Sequence, residues 1–171
     1  MKNLNNKMIK AKTTLIMLLM LFGAFQINAQ SYTINQGGTI HIAPGSSVQF
    51  YDSGTDRYDY GNHDYYSMDF YTDPGYVLQI TVNLFSVEAR YDYLYINNGR
   101  ANSSSYVFKW DDNSRPTGTI WETSGTELGF FFDSDGSVTR AGWDITIEPV
   151  ATAPCAPTTS DLSLCNNSAT Y

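Results

Sequence analysis

"YVLQITVNLFSVE", Tyr76 to Glu88, decides how the chain is read. Leu78, Ile80, Val82 and Leu84 alternate with Gln79, Thr81 and Asn83, the two-residue period of a strand with one face in a core and the other polar. Similar short segments recur on both sides. Upstream lie "SYTIN", "TIHI" and "SVQFYD", separated by "QGG" and "APGS", and then "YYSMDF", closed by the turn signal "TDPG" at residues 72–75. Downstream lie "YDYLYI", "SYVFKW", "TIWET", "ELGFFF" and "GWDITIE", with "NNG" and "DDNSRPTG" among the breaks. Outside the amino-terminal segment no stretch carries a helical period. About ten short strands punctuated by turn residues predict an all-β fold, a sandwich or barrel. Aromatic residues at 15% of the chain, thirteen of them tyrosine, favour the same class.

The two ends read differently. Residues 1–29 carry lysines at 2, 7, 10 and 12, the apolar run "LIMLLMLFGAF" from Leu15 to Phe25, and Ala29 at a cleavage position. That run falls short of the roughly 20 residues that span a bilayer, so the segment is expected to be a secretory signal peptide cleaved after Ala29. The exported chain would then be secreted or held at the cell surface, with no membrane insertion of its own. Beyond Glu148, "PVATAPCAPTT" reads as a linker, and "SDLSLCNNSATY" as the start of a further domain. One domain is expected over residues 30–150, and residues 151–171 would lead out of it. Both cysteines, Cys155 and Cys165, fall beyond the last clear strand, so packing alone must hold the core.

Removing the signal segment leaves six basic residues against seventeen acids, a net charge of −11. Such a surface repels nucleic-acid phosphate and suits cations, or proteins that present lysine and arginine. The acids of interest stand at strand ends. Glu88 closes the long strand, Asp92 opens the next, and Asp133 and Asp135 follow "FFF" in "FFFDSDGSVTRAGWDITI", Phe130 to Ile147. If these strands are neighbours, the carboxylates converge, and each pair repels by roughly 4 kcal/mol at 4 Å with an effective dielectric of 20. Calcium, which takes six to eight oxygens in flexible geometry, relieves that conflict better than octahedral magnesium; solvated turn acids are the alternative. "DSDGS" is not an EF-hand, because Val138 stands where the loop needs glycine and no helix flanks it. His41 and His63, far apart in a domain without cysteine, do not make a zinc site, and no nucleophile elbow is present. Asp111 and Asp112 read as a hairpin turn. The stretch Tyr58 to Tyr71 alternates tyrosine with polar residues and offers an amphipathic surface for a sugar ring or a protein.

"LFSVEARYDYLYINNG" and "FFFDSDGSVTRAGWDITI" resemble the two signature stretches of CUB domains, in a cysteine-poor form like the bacterial ones. Phe85, Glu88, Tyr91, Asp92, Leu94, Ile96 and Gly99 stand at the positions of the first motif; Ser134, Asp135, Ser137, Gly142 and Trp143 stand at those of the second. The resemblance covers about residues 31–150. It implies a sandwich of about ten strands in two antiparallel sheets and, in calcium-binding members, an ion held by Glu88, Asp92 and Asp135 with carbonyls around Gly136 and Ser137. It also implies Tyr60 as a supporting side chain; Tyr91 and Asp133 join Tyr60 as candidate binding residues. The function implied is a non-catalytic, calcium-dependent module that recognises a protein ligand through its basic side chains, or a glycan. The alternatives are an accessory domain of a secreted hydrolase and an aromatic-faced carbohydrate-binding module.

Overall fold

The computed structural model describes residues 30–101 and 105–152. The expected signal peptide, Cys155, Cys165 and the expected further domain lie outside the described residues. Ten strands follow in order: β1 (Gln30–Thr33), β2 (Thr39–His41), β3 (Val48–Tyr51), β4 (Tyr65–Tyr71), β5 (Tyr76–Ser86), β6 (Tyr93–Asn97), β7 (Phe108–Trp110), β8 (Ile120–Glu122), β9 (Glu127–Asp133) and β10 (Gly142–Ala151). A single turn of 3-10 helix, Ile34–Gln36, joins β1 to β2. The strands form two five-stranded sheets, β1-β3-β10-β5-β8 and β2-β4-β9-β6-β7.

The sheets are not wholly antiparallel, as the sequence had suggested. β1 pairs with β3, and β2 with β4, in parallel. The path of the chain explains this. It runs from one sheet to the other through β1 and β2, returns, and repeats the passage through β3 and β4 beside the first. A second lap in the same sense lays parallel pairs at one edge of each sheet.

The inward faces meet in an aromatic core. Phe50 lies 5.2 Å from Phe70, 4.6 Å from Phe130 and 5.8 Å from Trp143, ring centre to ring centre. Leu78, Ile80, Leu94, Ile96, Phe132, Ile145 and Ile147 are buried among them. These tilted and edge-on pairs add about 0.5–1.5 kcal/mol each to the burial of their area. A core of this kind substitutes for cross-links that the described domain lacks.

Two sequence expectations shift. Leu84 is 45% exposed and Phe85 is buried, because the β5–β10 register slips between Asp144 and Ile145. Val82 pairs with Ile145 and Leu84 with Asp144, leaving Asn83 as an extra residue that turns Leu84 outward. At the other end, the strand continues through Pro149 to Ala151, where a linker was expected to begin. Pro149 is tolerated because β3 pairs only with Asp144–Ile147, so no partner on that side needs its missing N–H. Thr152 then donates its backbone N–H to the Gly75 carbonyl.

Candidate metal centre

Of the connections that cross between the sheets at one end, three matter here: residues 52–64 after β3, 87–92 after β5 and 134–141 before β10. β6 and β9 are adjacent, with Tyr93 opposite Asp133, so the second connection ends beside the start of the third. Here one carboxylate oxygen each from Glu88, Asp92 and Asp135 lies within 4.8 Å of the others.

Asp92 is the fixed member, 1% exposed. Its Oδ2 accepts a hydrogen bond from the Tyr60 hydroxyl at 2.5 Å, and its Oδ1 accepts from the Asp135 backbone N–H at 2.7 Å. The Tyr60 oxygen in turn accepts from the Glu88 backbone N–H at 2.9 Å. One phenol thus ties two of the three acids together. Its ring packs 5.0 Å from Phe132, edge to face, which anchors the tie in the core. The Asp135 carbonyl accepts from His63 N–H at 2.7 Å, and Asp135 Oδ1 accepts from Ser137 N–H at 2.9 Å. Glu88 Oε2 is buried and has no hydrogen-bond partner. Burial first, then the charges of Asp135 and Asp92, raise the Glu88 carboxyl above its ordinary range, with Arg140 pulling the other way.

A second tier of acids holds the loops. Asp111 is buried, and its Oδ2 accepts from Arg90 N–H at 2.9 Å; Asp112 Oδ1 accepts from Val87 N–H at 2.9 Å. Burial alone would raise Asp111, but bonds from Arg90, Ser114 and Asn113 outweigh it and lower its pKa. Asp64 Oδ2 accepts from Gly61 N–H at 2.9 Å and from the Ser53 hydroxyl, while Ser134 Oγ accepts from Asp64 N–H at 2.8 Å. Asp52 is fully buried and accepts from Gly54 and Trp143 N–H groups. A β-carbon at Gly142, whose φ is +70°, would lie 1.9 Å from Asp52 Oδ2, so only glycine fits there. His63, Arg90 and Val138 adopt left-handed φ values of 59°, 75° and 63° in these same three connections. Such conformations cost of order 1–3 kcal/mol each and persist only where the surroundings enforce them.

No protein-family model matches the chain. The Cubilin homolog of Drosophila melanogaster is 34% identical over 79 residues, 44% of this chain and 2% of that protein. The inactive serine protease PAMR1 of Bos taurus is 26% identical over 88 residues, 49% of this chain and 12% of that protein. The chain therefore spans a small part of the curated relatives it matches. Among solved structures, the extracellular region of zebrafish Gpr126/Adgrg6 superposes with a TM-score of 0.56 at 22% identity, over 68% of this chain and 15% of that one. The CUB1-EGF-CUB2 domains of rat MASP-1 give 0.55 at 16% identity, over 69% and 45%. The calcium-bound CUB2 domain of MASP-1 gives 0.50 at 16% identity, over 66% of this chain and 98% of that domain. The domain has the CUB fold.

Within this CUB fold the residues singled out from sequence divide into three groups. Glu88, Asp92 and Asp135 come together, with Tyr60 on two of them and Ser137 bonded to the third. Gly136 sits against the His63 ring, where a β-carbon would lie 2.8 Å from Cε1. Tyr60 is 1% exposed, so it supports the acids but cannot supply contact area to a ligand, as had been expected of it. Tyr91 is 62% exposed, and Asp133 stands at the exposed end of β9 outside the cluster. Asp111 and Asp112 were legible only as a turn. Their grip on the loop at 87–90 spans more than twenty residues of sequence and left no local signal.

Proposed function

We propose that this CUB domain is a calcium-dependent, non-catalytic binding module of an extracellular protein, and that its ligands are basic side chains of a protein partner. The carrying observation is the convergence of Glu88, Asp92 and Asp135 within 4.8 Å, with Glu88 Oε2 buried and unpartnered. The donor set is all hard oxygen on irregular loops, which fits calcium better than a metal demanding strict octahedral geometry. Glu88, Asp92 and Asp135 would hold the ion, with backbone oxygens around Gly136 and Ser137. The calcium-bound CUB2 domain of MASP-1 supports the choice of ion. When bound, the ion would neutralise the mutual repulsion of the acids and set the three connections in one arrangement. Acid charge left facing solvent could then pair with an ammonium or guanidinium group. The predicted net charge of −11 after loss of the signal segment favours such a partner through steering. Among the described residues no helix is long and apolar enough to cross a membrane.

A surface-capture experiment tests this. Immobilised protein should retain a lysine-rich peptide in millimolar calcium and release it in EDTA, and Glu88→Gln should weaken retention at least tenfold. Retention that ignores EDTA would contradict the reading. One observation favours a glycan instead. Tyr65, Phe131, Tyr95 and Tyr106 form a connected strip of rings, 4.7, 5.6 and 5.1 Å apart in turn, beside the exposed β4–β9–β6 surface. Glycan retention lost in Tyr65→Ala but insensitive to EDTA would support that second reading.

A further inference from the structure

A separate cavity of about 220 Å³ opens beside the outer face of the β3–β10–β5 sheet. Its floor includes a row in register across three strands, with Tyr51 opposite Asp144 and Asp144 opposite Leu84. The connection after β3 supplies the wall through Thr55, Asp56 and Tyr58, the last 75% exposed. Leu84 reaches this surface only because the bulge at Asn83 turns it away from the core, and Asn83 Nδ2 in turn holds Asp144 Oδ1 at 3.1 Å. Bulges that re-aim one side chain are over-represented at functional sites. None of the three carboxylates here, Asp56, Asp59 and Asp144, belongs to the candidate metal centre. The one cation among the lining residues, Arg57, is largely exposed and stands 3.8 Å from Asp56, a loose pair.

We infer that this cavity receives an arginine or lysine side chain of a protein partner, with its alkyl stem on Leu84 and the tyrosines and its cation among Asp56, Asp59 and Asp144. Leu84, Tyr51 and Tyr58 offer apolar and aromatic surface to a long stem, and ring faces attract a cation. The acids outnumber Arg57 by three to one, which disfavours anions and gives a neutral sugar no electrostatic advantage. Burial first, then the charges of Asp144 and Asp56, raise the Tyr51 hydroxyl pKa. The cavity shares no candidate calcium ligand, since its lining does not include Glu88, Asp92 or Asp135.

The test is an NMR titration of the purified protein in EDTA with N-acetyl-arginine methylamide, beside its neutral citrulline counterpart and methyl glucoside. The expected result is saturable shifts of the Asn83, Leu84 and Asp144 amides with the arginine compound, at least fivefold weaker with citrulline. Asp56→Asn, at an exposed loop position, and Asp144→Asn should each weaken binding at least threefold. Arg57→Ala, which removes a competing cation, should tighten it, and Asp135→Ala should leave it unchanged. No shift, or an equal response to citrulline or the glucoside, would overturn the inference. Loss of binding in Asp135→Ala would overturn its independence from the metal centre.

Discussion

Tyr60 joins the core to the carboxylates: its ring rests on Phe132, while its oxygen bonds Asp92 and accepts from Glu88 N–H. Tyr60→Phe keeps the ring and removes the oxygen, leaving a buried carboxylate and an amide each short of a partner. The expected cost is about 1–3 kcal/mol of stability, read as a lower denaturation midpoint at unchanged m-value. A neutral substitution would show that the phenol is incidental. Asp52 carries a pH signature of its own. Burial first, with a small push from Asp64, raises its pKa from 3.8 to about 6, against hydrogen bonds from Gly54 and Trp143. Because the folded state holds the proton more tightly, the contribution is present below about pH 4 and is lost as pH rises through 6. The loss is on the order of 3 kcal/mol. Denaturant unfolding of wild type against Asp52→Asn should show the difference between them changing across that window and flat outside it. A constant difference from pH 4 to 7 would contradict the assignment.

The longest strand shows how far periodicity carries a reading. Alternation from Leu78 to Val82 was sound, and it failed at Leu84 because a bulge at Asn83 shifts the period by one. No local rule marks that bulge: Asn83 and Leu84 suit a regular strand as well as a bulged one, and the slip is fixed by pairing with β10, some sixty residues away. Leu84→Ser is therefore expected to change stability by less than about 0.5 kcal/mol, whereas Phe85→Ala should cost about 3–5 kcal/mol. Equal losses at both positions would mean that Leu84 is in the core. The parallel edge pairs β1–β3 and β2–β4 were likewise hidden, since strand segments reveal existence and face but not which neighbour they choose.

At the scale of the domain, the described residues form ten strands where turn residues and alternation placed them, and their two sheets close on aromatic rings. The convergence of Glu88, Asp92 and Asp135 was legible because each acid flanks a strong strand and the motif spacing resembles that of CUB domains. The acids beneath them were not. Asp52, Asp64 and Asp111 look like loop residues in sequence; only the folded chain shows Asp52 and Asp111 gripping the distant N–H groups of Trp143 and Arg90, and Asp64 holding Gly61 N–H within its own connection. Two inter-sheet connections, 87–92 and 134–141, are thereby held with their carboxylates together, tied by Tyr60 of a third, and like charges so close repel one another. The most direct test is thermal melting with and without calcium, together with calorimetric titration, on wild type and Asp135→Ala. An ion that binds only the native state adds about 2.7 kcal/mol at a hundred times its dissociation constant. A clear rise in Tm is expected for wild type and none for the variant; no rise in wild type, or an equal rise in both, would refute a calcium site at these acids.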